Sequence, residues 1–295
     1  MTQGESPAVA RRRLRLALRE AREAKGFTQG QVAEHLDWSL SKVQRIESGE
    51  VTVSSTDLRA FLADVGVADG ARVSQLVDLA RLSKSRRGFW EEAKFRQYLT
   101  PSMKKLFQFE NEASAIRVFH PSLLPGVFQT RAYAEVILDF WRDELSEEDR
   151  AVRIEARQRR RDEFLTHPEP ANYMVALDES VLYRIVGNRQ IMAEQLQDML
   201  TIMERPNVYV RIVPFTAGAF LVMLNSFVLI DLGDAENAVL YREAQLADDI
   251  DESPERAKQY RGYFERLWGA SLNEKASERL VAARYSILLS ELDRD

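Results

Sequence analysis

The stretch "FTQGQVAEHLDWSLSKVQRIESGE", residues 27–50, decides the fold of the first part of this 295-residue chain. Helical spacing occurs in it twice. Thr28 stands at the start of the first period, and Gln31 three residues on completes a capping-box pattern, in which each residue satisfies the other's free backbone N–H. Val32, Ala33 and Leu36 recur on one face of that period. Asp37 and Trp38 make a tight turn. Ser39 is placed to cap the second period, Val43 and Ile46 face inward from it, and Gly49 is a natural left-handed stop.

Helical signals continue on both sides. Before the stretch, Leu14, Leu18 and Ala21 share one face of a first helix whose other face is arginine-rich, and Gly26 ends it. After it, Ser54 and Asp57 make another capping pair ahead of Leu58, Phe61, Leu62 and Val65. Val73, Leu76, Val77 and Ala80 mark a fifth helix. The fold expected here is all-α, with five helices over residues 1–83. Two short helices joined by a turn of three or four residues form a helix-turn-helix, and the small Ala33 lets the next helix cross closely.

These residues resemble the lambda-repressor-like (Xre-type) helix-turn-helix over about residues 9–65. The "TQ" start, the inner alanine, the polar cap and the "IESG" end carry the resemblance. It implies that Gln29 touches a DNA phosphate and braces the third helix. It implies that Leu40, Ser41, Lys42 and Arg45 face the major groove. Arg45 is the expected base reader, because its planar fork matches guanine O6 and N7. Ser41 reaches a base edge or a phosphate, and Lys42 acts as a point charge on a phosphate. Gln44 points partly sideways. Leu40, at a place often polar, either meets a thymine methyl or shields the turn. Asp37 replaces the usual turn glycine, and aspartate enters the left-handed region more readily than most residues. Arg22 and Glu47 are expected to pair and position the reading helix. A dimer on an inverted repeat follows, with half-sites about 34 Å apart. The competing reading is a helical bundle that binds only protein.

Charge is uneven along the chain. The total is −5, yet residues 1–90 hold 15 Lys/Arg against 11 Asp/Glu, giving +4, and the remainder holds 26 against 35, giving −9. That bias suits a chain whose first part alone meets phosphates. The arginines at 11–15 either contact flanking phosphate or form a solvated face. There are no cysteines, so disulfides and thiolate zinc sites are excluded. No apolar run approaches the ~20 residues of a membrane span, and the N-terminus lacks a signal-peptide core. A cytoplasmic protein without membrane contact is expected.

"KSRRGFW" opens a linker read at residues 84–94, and a second domain is expected over 95–295. "SMKKLFQFENEASAIRVFH", residues 102–120, reads as one amphipathic helix ending before Pro121. "PSLLPGVFQT" is a turn-rich connection, followed by helices at "RAYAEVILDFW" and "SEEDRAVRIEARQRRRDEFL". Strands are expected at "NYMVALD" (172–178), "VYVRIVPF" (208–215), "FVLIDL" (227–232) and "AVLYRE" (238–243), with the helix "NRQIMAEQLQDMLTIM" between the first two. Two helices close the chain. The expected architecture is α+β with a sheet of about four strands.

"LLPGVFQTRAYA", "LDESVLYRIVG", "VRIVPF" with "AG" nearby, and "VLYRE" resemble a domain of unknown function that follows many actinobacterial Xre-type regulators, including the WhiJ type. The resemblance spans roughly residues 100–285. It implies a regulator whose partner is often a small protein encoded beside it.

No enzyme is expected. The sequence has no Ser/His/Asp or Cys/His arrangement, no phosphate-cradling glycine loop and no histidine pair at metal spacing. His35, His120 and His167 stand far apart. No cofactor or metal is expected. A ligand or partner site, if present, would lie where "PGVFQTRAY" meets "LDESVLYR". There Phe128, Arg131, Tyr133, Glu179 and Arg184 would give an aromatic wall with convergent charges; alternatively they lock the domain's own loops. The run "RQRRRDEF", 157–164, reads as a solvated face or a docking face. The favoured function is a dimeric, sequence-specific transcriptional regulator that senses a partner protein or ligand. The other reading is an antitoxin-like module whose DNA binding serves only autoregulation.

Overall fold

The computed structural model describes residues 7–49, 51–84, 88–168, 170–217, 224–242 and 248–294. The chain divides into two compact units, Met1–Arg86 and Arg87–Asp295.

The first unit is all helix. α1 runs Pro7–Ala24, α2 Gln29–His35, α3 Leu40–Glu47, α4 Ser55–Asp64 and α5 Gly70–Leu82. Each boundary after α1 has a local cause. The capping box at Thr28 forms, with Gln31 N donating to Thr28 Oγ1 at 3.2 Å and Thr28 N donating to Gln31 Oε1 at 2.8 Å. Ser39, Ser54 and Asp69 cap the next three helices. Between α2 and α3 the chain turns at Asp37, whose φ is 55°. Trp38 N then donates to Ala33 O at 2.8 Å and closes the turn. The expected inner faces meet in one core, in which Leu18, Val32, Val43, Leu58, Phe61, Leu62 and Leu76 are essentially inaccessible. Full burial of each such side chain contributes roughly 1.5–3 kcal/mol.

The second unit is α+β. α6 runs Ala93–Arg96, α7 Pro101–Asn111, β1 Ala115–His120, α8 Arg131–Asp139, α9 Glu147–Thr166 and β2 Asn172–Asp178. α10 follows at Ser180–Tyr183, α11 at Arg189–Met203, β3 at Val208–Val213, β4 at Phe227–Leu232 and β5 at Asp234–Arg242. β6 at Asp249–Asp251, α12 at Pro254–Ala270 and α13 at Glu274–Leu292 complete the chain. The sheet has six strands in the order β3-β2-β1-β4-β5-β6. β1, β2 and β3 are parallel, and β4, β5 and β6 continue antiparallel from β1. Parallel neighbours need crossovers, which the helices between β1 and β2 and between β2 and β3 supply.

Residues 102–120 are not one helix. α7 stops at Asn111, and Ala115–His120 form the strand that joins the parallel and antiparallel halves. Ile116 sits opposite Tyr173 and Ile230, and Phe119 opposite Ala176 and Phe227. A short apolar run fits either period, and here pairing on both edges selects the strand. β6 also exceeds the expected four strands; its three residues, two of them aspartate, carry little strand pattern. Glu243 of the "AVLYRE" segment and Gly218 of the "AG" pair lie outside the described residues.

One face of the sheet, with Phe119, Ala176, Phe227, Leu229 and Leu240, packs on Phe264 and Leu267 of α12. Of the linker read at 84–94, residues 85–87 lie outside the described residues. Phe89–Glu91 form a 3-10 turn in which Phe89 and Trp90 are buried. Gly88 permits this, since a Cβ there would come within 2.2 Å of the Trp90 ring.

Candidate nucleic-acid interface

Three helices of the first unit converge on one carboxylate. Arg22, near the end of α1, donates from Nε to Glu47 Oε1 at 2.6 Å and from Nη2 to Oε2 at 2.9 Å. Gln29, opening α2, donates from Nε2 to the same Oε2 at 2.8 Å. Arg22 Nη1 donates to Phe27 O at 2.7 Å. The Arg22 and Glu47 side chains are 10% and 4% exposed. The hydrogen bond to Glu47 raises the Arg22 guanidinium above its ordinary value, against an opposing contribution from burial. Bidentate, charge-assisted bonds of this kind fix geometry as well as contributing energy. The last turn of α3 is therefore tied to α1 and to the start of α2.

Opposite that anchor, α3 presents Leu40, Ser41, Gln44 and Arg45, all exposed. Their spacing puts them on one helical face. Leu40 is 48% exposed, as are Leu16 and Leu82 of the same unit, at 48% and 49%. Ser39 lies at the start of this face, and its Oγ accepts from Lys42 N at 3.2 Å, which leaves the hydroxyl proton available to donate. Ala33 is buried where α2 meets α3.

Lys42 is placed differently from its neighbours. Its Nζ lies 3.8 Å from the centre of the Trp38 ring and 3.1 Å from Asp57 Oδ1 in the first turn of α4. The ammonium is held within the unit by a ring and a carboxylate. Neither the Trp38 nor the Asp57 contact of Lys42 was among the expectations from sequence. The spacing of four between Trp38 and Lys42 was a visible signal; the approach of Asp57 was not.

In the second unit the five residues considered for a ligand or partner site differ in burial and in bonding partners, and Arg184 acts electrostatically on Tyr133. Phe128 and Tyr133 are fully buried. Phe128 packs 5.9 Å from Phe164 and 6.0 Å from Tyr173, centre to centre. Tyr133 accepts from Leu124 N at 3.4 Å, and burial pushes its hydroxyl up to about 12. Arg131 is on the surface, paired with Glu135 at 2.8 Å. Glu179 Oε2 accepts from Phe215 N at 2.9 Å, and Arg184 is exposed.

The charged run 157–164 is largely turned into the unit, not outward as its composition suggested. Arg157 donates to Gln129 Oε1 at 3.1 Å, and Arg160 bonds both oxygens of Glu110. Arg161 bonds both oxygens of Asp198, at 2.7 and 2.8 Å, and Val127 O at 3.2 Å. Only Arg159 and Asp162 of the run are exposed. The arginines at 157, 160 and 161 share a face of α9, and that face meets acceptors from neighbouring elements.

His35 Nδ1 lies 3.0 Å from Asp64 Oδ1, and His120 Nδ1 accepts from Leu123 N at 3.2 Å. Among the described residues no cluster of three or more His, Asp or Glu is arranged to hold a metal ion. Nor is any helix among them long and apolar enough to cross a membrane.

Two family models match the chain. One, described as a helix-turn-helix domain, matches residues 13–76. The other, described as a domain of unknown function, DUF5753, matches residues 103–283. No curated protein matches the chain.

Proposed function

We infer that this chain, which belongs to the DUF5753 family and carries a helix-turn-helix domain, is a sequence-specific transcriptional regulator. The observation that carries the reading is the exposed face of α3, set opposite the buried Arg22–Glu47 pair and the half-buried Gln29 bonded to it. A helix fixed on one side and exposed on the other is what major-groove entry requires.

In this reading Arg45 pairs with a guanine through its fork. Ser39, Ser41 and Gln44 take base edges or phosphates. Leu40 meets a thymine methyl, for which its exposure is suited. Lys42 leaves Asp57 for a phosphate, and Gln29 contacts a phosphate while bracing Glu47. One module covers few base pairs, so the chain acts as a homodimer on an inverted repeat with half-sites about 34 Å apart. The second unit, cytoplasmic with the first, senses a partner protein or ligand. Such a signal regulates only by binding two states of the protein differently.

Genome-wide mapping of bound DNA, repeated with Arg45→Ala, tests the assignment. A loss of about 1–3 kcal/mol concentrated at one base position is expected. Unchanged occupancy and unchanged sequence preference would remove α3 as the reading helix.

A further inference from the structure

Between α8 and α9 the second unit has an open groove of about 480 Å³. Val136, Leu138 and Asp139 of α8 line one side, and Glu147, Ala151 and Ile154 of α9 the other. The two helices pack as a hairpin, and Arg150 Nη1 donates to Asp139 Oδ1 at 2.7 Å across it. Leu138 is buried and forms the floor, while Val136 and Ile154 are half-buried walls. Ala151 is exposed and adds no bulk at the rim. Phe140 stands four residues after Val136, on the same side of α8. It is 77% exposed, and no other large apolar side chain among the described residues is exposed as far.

The shape of this surface suits a helix. Small-molecule sites enclose most of their ligand, whereas this groove lies open between two packed helices. Side-chain ridges on such a pair take the ridges of a third helix between them. The lining runs from Glu147 to Ile154 on α9. At about 1.5 Å per residue that is roughly two turns of an approaching helix. Apolar residues at i, i+3 or i+4, and i+7 supply the anchors in this mode of recognition.

Charge selects the partner. Residues 131–150 hold seven Asp/Glu and three Arg, giving −4. The three arginines are committed, Arg131 to Glu135 and both Arg142 and Arg150 to Asp139. Glu147 on the groove is exposed and forms no ion pair among the described residues, and the same holds for Asp143 and Glu144 beyond its end. An acidic rim repels phosphate, which turns away nucleic acid and anionic membranes. A second copy seated through the same face would set like charges opposite each other. A helix with an apolar stripe and basic flanks meets the walls and the rim together.

We propose that the groove between α8 and α9 binds a basic amphipathic helix of a partner protein. The apolar stripe of that helix lies on Val136, Leu138 and Ile154, and Phe140 covers one end. Its Lys or Arg side chains reach Glu147, Asp143 and Glu144. This names the chemistry of the partner in the regulator reading above, and rests on that reading for its purpose.

The test uses the full chain and a synthetic peptide of about 14 residues, leucine and lysine at helical spacing, read by fluorescence anisotropy. One control peptide has glutamate for lysine, and another has the same composition without the helical period. Saturable binding of the basic helix is expected, about tenfold tighter than either control. Ala151→Arg obstructs the groove from an exposed position. It should weaken binding about tenfold with an unchanged circular dichroism spectrum. Ala283→Arg, exposed on α13, adds the same charge elsewhere and should leave the affinity unchanged. Should Ala151→Arg fail to fold, Phe140→Ser serves instead and should weaken binding by about threefold. No saturable binding, equal affinity for either control peptide, or equal effects of the two arginine variants overturns the proposal. So does a native dimer, seen by light scattering, that Ala151→Arg turns into a monomer, since a second copy would then fill the groove. DNA is absent throughout, so a failure here and a failure of α3 as the reading helix are separate results.

Discussion

The guanidinium of Arg22 and the carboxylate of Glu47 meet through two hydrogen bonds of 2.6 and 2.9 Å, 25 residues apart in sequence and almost wholly buried. Removing either partner leaves a charge in the interior. Arg22→Ala or Glu47→Ala is expected to lose about 3–5 kcal/mol in urea denaturation. The double change Arg22→Met with Glu47→Leu should lose far less than the sum of the two, and a double-mutant cycle measures that coupling. Additive losses would show the pair to be two independent contacts.

Asp37 holds a φ of 55° between α2 and α3. A Cβ in this region costs roughly 1–2 kcal/mol, and aspartate offsets part of that by local hydrogen bonding. Asp37→Gly should therefore stay within about 0.5 kcal/mol of the native chain, relief of strain being balanced by added freedom of the unfolded chain. Asp37→Ala should lose about 1 kcal/mol and the β-branched Asp37→Val more. Equal denaturation midpoints for glycine and valine would contradict the turn geometry.

Lys42 and Asp57 are each about a third exposed, so their ion pair contributes about 0–1 kcal/mol to stability. Its larger effect concerns where the ammonium points. Asp57→Asn removes the partner that Lys42 must leave, and should tighten non-specific DNA binding with little change in the slope of log affinity against log salt, since the number of phosphates neutralised is the same. Lys42→Ala should lower the affinity and flatten the slope. A salt series by fluorescence anisotropy with random duplex reads both. Identical slopes for all three proteins would place Lys42 away from the phosphates.

Glu163 carries a carboxyl raised by burial. Its folded pKa then lies above its unfolded one, so the ionised form opposes folding above the folded pKa. That cost fades as pH falls, and is gone below the ordinary carboxylate range near about 4.3. Glu163→Gln should accordingly raise the melting temperature at neutral pH and lose that gain as the medium is acidified. A gain that grows toward acid pH would reverse the sign and refute the burial argument.

The first unit was legible almost residue by residue. Thr28, Gln31, Ser39 and Ser54 act on groups one turn away, and such local hydrogen bonds are written directly in the sequence. The pairing of Arg22 with Glu47 came from resemblance and not from spacing. The second unit was legible where strands were rich in β-branched residues: β2 and β4 begin and end where the pattern does. It failed at β1, because "AIRVFH" follows a real helix and its partners lie over fifty residues away.

By itself the sequence determined the helix boundaries of the first unit, the inward faces of its helices, and the α+β character of the remainder. These follow from capping chemistry and from the periods 3.6 and 2, both local properties. Only the tertiary structure decided that Ala115–His120 is a central strand, that Lys42 rests on Trp38 and Asp57, and that the arginines of α9 turn inward. Each depends on which acceptor or strand edge arrives from a distant part of the chain, and a buried polar group takes the orientation that satisfies it.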